Sequence, residues 1–167
     1  IQYHDLSNVL LTDKALFYPK PYTDKQKEIH PYTIAKTMKN GWRWITPTWS
    51  RVGTGYVFSS NHITVDQAIQ EFQEDIGDDT VIPNVVDFHP KYSTKTFNSN
   101  YMTLGMCNGF LEPLEATSIW VQVKALSVLQ NKIERFGIDG EIGREQFNSA
   151  LRQMNEEILN FLHFHYL

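Results

Sequence analysis

The run Glu112-Pro113-Leu114-Glu115-Ala116-Thr117-Ser118-Ile119 places two carboxylates just ahead of, or within, the first turn of an apolar segment. Free backbone N–H groups and the macrodipole at a helix start suit small anions, and a partly desolvated glutamate there suits proton transfer. Capping alone also accounts for the spacing. Pro113 presets φ, the Thr117 and Ser118 hydroxyls are able to cap, and acids near a helix N-terminus are stabilised without further role. Context tells against capping alone, because the helix that follows is almost wholly apolar and an acid at its mouth is expected to be partly buried. The pattern brackets the helix start between Glu112 and Ser118.

Trp42-Arg43-Trp44 sets two indoles on one face of a strand. Such pairs commonly fill a core, each ring burying a large area; they also form flat walls for an aromatic ligand or a shield against water. Three other motifs carry less. Gly53-Thr54-Gly55 opens like a dinucleotide loop, but Phe58 stands where a third glycine belongs, so a turn or close-packing device is expected. His163 and His165 point to different helix faces at a spacing of two, which argues against a metal site. Cys107 lies in an apolar run, where a thiol is ordinarily inert packing.

Composition narrows the function class. The 167 residues, 41% apolar and 13% aromatic, suffice for a packed core and exclude wholesale disorder. Fifteen basic against nineteen acidic residues leave a net charge of -4 without a basic stripe, which argues against nucleic acid as a partner. One cysteine excludes an internal disulfide framework and suits a reducing cytosol. No stretch is long and apolar enough to read as a membrane span, and none reads as a signal peptide. A chain opening Ile1-Gln2-Tyr3 rather than with Met is expected to be part of a longer product.

The elements that must position these residues follow from pattern. Residues 1 to 40, broken by Pro19, Pro21 and Pro31, read as a strand or two with irregular connections. Residues 41–47 and 51–58 alternate aromatic or β-branched with polar residues, predicting an antiparallel pair. Thr64-Val65-Asp66-Gln67 is a capping box; behind it Val65, Ala68, Ile69, Phe72 and Ile76 recur at helical spacing up to Gly77. Pro83 and Pro90 break the segment 81–97 into short strands and loops. From Ile119 to Leu129 almost no polar face is left, implying a helix buried on most sides. Arg144 to about Leu162 predicts a peripheral amphipathic helix with Phe147, Leu151, Met154, Ile158 and Phe161 on one stripe. The mixture points to α+β, or one piece of a larger α/β protein.

Three segments in this order, residues 41–47, residues 51–60 and residues 105–119, resemble the central part of the flavin-dependent tryptophan halogenases. Leu10 to Ala15 and Phe161 to Tyr166 resemble the family more weakly. The resemblance covers nearly all of the chain and about a third of a typical family member. It implies part of an FAD-binding α/β flavoprotein fold, a mixed sheet with antiparallel strands followed by long helices. Residues 1–120 would belong to the flavin module and residues 121–167 to helices leading into a substrate module. It implies an oxidoreductase in which reduced FAD from a separate flavin reductase, oxygen and a halide ion yield a hypohalous species that reaches an electron-rich, indole-like ring through a tunnel. Glu115 takes the position of the catalytic glutamate. The amides of Thr117 and Ser118 take that of the halide cradle, and Met106 and Ile119 would lie against the flavin through main-chain contacts. Trp42 and Trp44 would stand near the tunnel, where ordinary monooxygenation is suppressed. A cytoplasmic protein is implied, and a homodimer is compatible with it.

The sequence departs from the family pattern at three places. Thr46 stands where Ile usually precedes the proline, Ala116 where Ser is common, and Ser118 where Gly is frequent. These changes bear on tunnel packing and on which halide fits. No residue here matches the family's glycine phosphate loop or catalytic lysine.

Overall fold

The computed structural model describes residues 1–137 and 140–166, Glu115 by its backbone alone. The chain forms two compact units, Leu11–Phe88 in one and Ile1–Leu10 with His89–Leu167 in the other.

The Leu11–Phe88 unit is a five-stranded antiparallel sheet crossed by a helix. Its strands are β2 (Lys14–Lys20), β3 (Ile34–Met38), β4 (Gly41–Pro47), β5 (Val52–Phe58) and β6 (Asn84–Asp87), in spatial order β3-β4-β5-β2-β6. The expected pairing of residues 41–47 with 51–58 is present, with Trp42 opposite Val57 and Trp44 opposite Gly55. The N-terminal segment is more ordered than its prolines predict. It supplies β1 (Tyr3–Asp5), β2, a short helix α1 (Lys25–Glu28) and β3, because Pro19 lies near the end of its strand and Pro21 and Pro31 fall in the connections.

Helix α2 (Val65–Ile76) begins and ends where its signals sit. The Thr64 hydroxyl accepts the Gln67 N–H at 3.3 Å, the Gln67 side chain accepts the Thr64 N–H at 3.1 Å, and Gly77 turns left-handed at φ 75°. Its Ala68 and Phe72 pack with Leu16, Tyr56, Phe58, Ile63 and Val81 into one core. Arg43 is buried in this unit: its Nε donates to Thr54 Oγ1 at 2.9 Å and its guanidinium pairs with Asp75, which also holds Lys36. Burial pushes the Asp75 carboxyl upward, but hydrogen bonds from Lys36 and Arg43 outweigh it and hold the group below its ordinary range. Burial, then the hydrogen bond to Glu71 at 3.0 Å, pushes the Tyr56 phenol well up.

The second unit joins a small antiparallel sheet to a helical pair. The sheet runs β1-β7-β8, with β7 at Lys91–Ser93 and β8 at Gly109–Phe110. Helix α3 (Thr117–Phe136) packs on α4 (Glu141–His165). Residue 120 falls in the first turn of α3.

Two helix expectations are corrected. Helix α3 buries Val121 and Ala125 but leaves Val123 59% and Leu126 54% exposed, so it is not enclosed on most sides. Packing on α4 covers a single stripe, whatever the composition of the remaining faces. On α4 the buried stripe runs through Phe147, Leu151, Ile158 and Leu162, whereas Phe161 is exposed. Over about four turns the 3.6-residue period makes Leu162, four residues after Ile158, the one that continues the stripe.

Candidate functional site

The site grows out of the connection from β7 to α3. Two asparagines hold its loop. Asn148 on α4 accepts the Phe97 N–H at 2.7 Å and donates to the Phe97 carbonyl at 2.8 Å. Asn108 accepts the Thr96 hydroxyl at 2.6 Å through its side chain and the Ser93 N–H at 2.6 Å through its carbonyl. Both asparagines are buried, where a polar group is retained only if it is hydrogen-bonded. Gly109 then lets β8 lie against β7. At φ 151°, a Cβ at this position would sit 2.5 Å from the Lys91 carbonyl oxygen and 2.6 Å from the Tyr92 Cα.

Beyond β8 the chain descends to Glu112, which has no exposed surface. Its Oε2 accepts the Leu114 N–H at 2.7 Å, its Oε1 the Tyr166 hydroxyl at 2.7 Å, and its carbonyl the Thr117 hydroxyl at 3.4 Å. Pro113, with φ −70°, leads into one 3₁₀ turn, Leu114–Ala116. Ala116 has φ 53° and ψ 16°, the one non-glycine positive φ among the described residues. That conformation costs about 1–2 kcal/mol for a residue with a Cβ and marks sites where the surroundings dictate the backbone.

Thr117 and Ser118 open α3 as its first two residues. Neither hydroxyl caps the helix as expected: Ala116 holds the cap position, the Thr117 hydroxyl turns back to Glu112, and the Thr117 N–H donates to the Leu114 carbonyl. Ser118 lines a narrow cleft of about 20 Å³ with Gly105, Asn108, Gly109, Gln122 and Asn155, a volume suited to one water or a small ion. Met106, in the 3₁₀ turn Gly105–Cys107, and Ile119 are 66% and 67% exposed, and their chain neighbours Gly105 and Ser118 meet at that cleft. Cys107 is exposed, contrary to the packing role expected, because the 3₁₀ turn carries it to the surface. The Glu115 side chain lies outside the described residues; its backbone occupies the middle of the turn.

Thus Met106, Thr117, Ser118 and Ile119 share one unit with the backbone of Glu115, while Trp42 and Trp44 make a pair in the other. The indoles are half-buried, 6.1 Å apart and inclined at 57°. They occupy the sheet face opposite Arg43, so the core reading of this pair is corrected: the core side of β4 is Arg43's. Gly55 explains how Trp44 lies so close to the sheet, since a Cβ there would meet its ring at 2.1 Å. The Gly53-Thr54-Gly55 motif is therefore a close-packing device, as expected. No cluster of three metal-ligating side chains occurs among the described residues, and no described helix is long and apolar enough to cross a membrane.

Sequence reasoning missed Asn108, Asn148 and Tyr166. A lone polar residue inside an apolar stretch was the available signal for Asn108; nothing local marks Tyr166, whose partner lies 54 residues away.

A two-unit α+β chain with antiparallel sheets, a strained acid-bearing turn and two long helices defines a class, and related sequences and structures share it. The chain belongs to the tryptophan halogenase family, whose sequence model matches residues 1–167. It is 31% identical over 164 residues to the tryptophan 7-halogenase RebH of Lentzea aerocolonigenes, an alignment covering 97% of this chain and 31% of that protein. The crystal structure of a tryptophan halogenase from Shewanella frigidimarina matches with a TM-score of 0.92 at 28% identity, over 99% of this chain and 32% of that one. The tryptophan 6-halogenase SttH of Streptomyces toxytricini matches with a TM-score of 0.91 at 28% identity, over the whole of this chain and 33% of that one. The chain spans about a third of the length of the curated relatives it matches.

Proposed function

We propose that the complete protein halogenates an electron-rich aromatic ring of the indole class, tryptophan included, using reduced FAD from a separate flavin reductase, oxygen and a halide, in the cytoplasm. The observation that carries this reading is the turn at Ala116, whose left-handed backbone joins the Glu115 position directly to the first amides of a 20-residue helix. A helix of that length presents donors and a positive dipole end to an anion. The cleft beside Ser118 is of ionic size, and exposed Met106 and Ile119 offer an apolar ledge for a flat ring system. These features fit a halide and a flavin.

Bound reduced flavin would activate dioxygen, which supplies the oxidising equivalents that turn halide into an electrophile. The chain's own residues do the rest. The Ser118 amide holds the anion, joined by the Thr117 amide once it turns from the Leu114 carbonyl it donates to in this structure, and the Glu115 carboxylate accepts the proton lost from the substituted ring carbon. Trp42 and Trp44 form a wall that excludes water from the electrophile's path. Residues 1–120 serve the flavin module, and residues 121–167 lead toward substrate binding.

Incubating the complete protein with FAD, a reductase, bromide and a panel of indoles tests this by mass spectrometry. The expected product carries the bromine isotope pattern, and Glu115→Gln abolishes it. Hydroxylated product without halogen would instead establish a flavin monooxygenase, and unaltered activity of Glu115→Gln would leave that carboxylate structural.

A further inference from the structure

Glu112 is the most deeply buried carboxylate among the described residues, and the proposed chemistry leaves it without a role. Burying an ionised carboxyl is costly unless its oxygens are hydrogen-bonded. Its bonds go to informative places. Leu114 and Thr117 bracket Glu115 and Ala116 on the chain, and both hydrogen-bond to Glu112, one to the side chain and one to the carbonyl. The strained backbone of Ala116 is therefore held between two anchors on a single residue. Tyr166, which follows the last residue of α4, donates a further bond to the Glu112 carboxylate at 2.7 Å, the length of a charge-assisted contact.

Resting on the halogenase reading above, we propose that Glu112 and Tyr166 are positioning residues for the halogenation turn. Glu112 fixes the bend that sets the Glu115 backbone against the Thr117 and Ser118 amides, and Tyr166 ties that bend to the end of α4. Neither touches substrate. A purely structural carboxylate would affect stability alone, whereas a positioning one also changes how well the anion is held and how much oxidant reaches the ring.

The test uses the complete protein and the variants Tyr166→Phe, Glu112→Gln and Glu112→Ala. Three quantities are read: the KM for bromide against kcat, the brominated product formed per reduced flavin consumed, and amide hydrogen exchange across residues 111–118 with and without bromide. Loss of one hydrogen bond in Tyr166→Phe is expected to raise the bromide KM about fivefold and to speed exchange at Leu114 by a similar factor. Product per flavin falls, while the melting temperature shifts by only about 2–4 °C. Glu112→Gln keeps an acceptor for Leu114 and a donor toward the Tyr166 oxygen, so its KM and product yield stay within about twofold of wild type. Glu112→Ala, where it folds, loses about a hundredfold in kcat/KM.

Wild-type bromide KM, product yield and exchange in Tyr166→Phe would overturn the inference, as would a lowered melting temperature as its sole effect. A wild type that brominates nothing overturns the reading of function and the catalytic half of this inference with it. The exchange measurement then separately decides whether Tyr166 holds the bend.

Discussion

Helices α2 and α3 teach different lessons about what an apolar sequence means. Helix α2 alternates apolar and polar faces, and its apolar face is where the pattern puts it, with Ala68 and Phe72 fully buried against β5. Residues 119–129 of helix α3 leave almost no polar face in sequence, yet Ile119, Trp120, Val123 and Leu126 are exposed. Periodicity identifies a face, and with it a direction of packing. Its absence reports composition only, and leaves open which neighbours cover the remaining surface.

Paired truncations give the widest test of that contrast. Phe72→Ala should cost about 3–5 kcal/mol, read from the denaturant midpoint of the protein, because the void lies in a closed core. A loss under about 1 kcal/mol would mean that the α2 core collapses around the void. Next in size is the ion cluster on the same unit. The Asp75 carboxyl titrates below its ordinary value, so the stability it contributes is fully present above the unfolded carboxylate range and is lost as pH falls through the folded value. Asp75→Asn should therefore cost about 1–3 kcal/mol at neutral pH. The penalty should begin to shrink as pH falls below the ordinary aspartate value of about 4, and should vanish only once pH has passed the lower native value. An acid titration of both proteins followed by circular dichroism checks this, and a difference independent of pH would refute it.

Smaller effects are expected on the second unit. Ala116→Gly should stabilise by about 0.5–1 kcal/mol, since glycine accepts a left-handed φ without the Cβ penalty; calorimetry showing a loss would mean that the methyl group packs usefully. Leu126→Ala should change the stability of the 167-residue chain by less than about 0.5 kcal/mol, as for any surface position. A cost above 2 kcal/mol there would mean that this face is covered in solution, and the contrast between the helices would disappear.

What was legible follows the same division. The hairpin of β4 and β5, the capped helix α2 and its glycine stop are local patterns, each written in adjacent residues, and all are present in the structure. The position of the acid turn ahead of α3 was legible for the same reason, and its depth was underestimated, since Glu112 is wholly rather than partly buried. Contacts that close over long stretches of chain were not legible. Arg43 pairs with Asp75 on another element, Asn148 binds Phe97, and Tyr166 reaches Glu112. Each depends on how elements stack, and a strand residue such as Arg43 between two tryptophans carries no mark of which face turns inward. The tryptophan pair illustrates the limit: alternation placed both rings on one face, and only the packing of α2 on the opposite face decided which side was core.

The amide of Asn148 imitates a strand edge, since it offers Phe97 one donor and one acceptor just as a neighbouring backbone would. A helical side chain thereby contributes a rung to a ladder of extended chain. Sliding α4 along its axis by even one turn, about 5.4 Å, would strip that rung from the loop. The register of this helix and the path of the polypeptide toward Met106 are accordingly a single degree of freedom, and an agent that shifts one must rewrite the other.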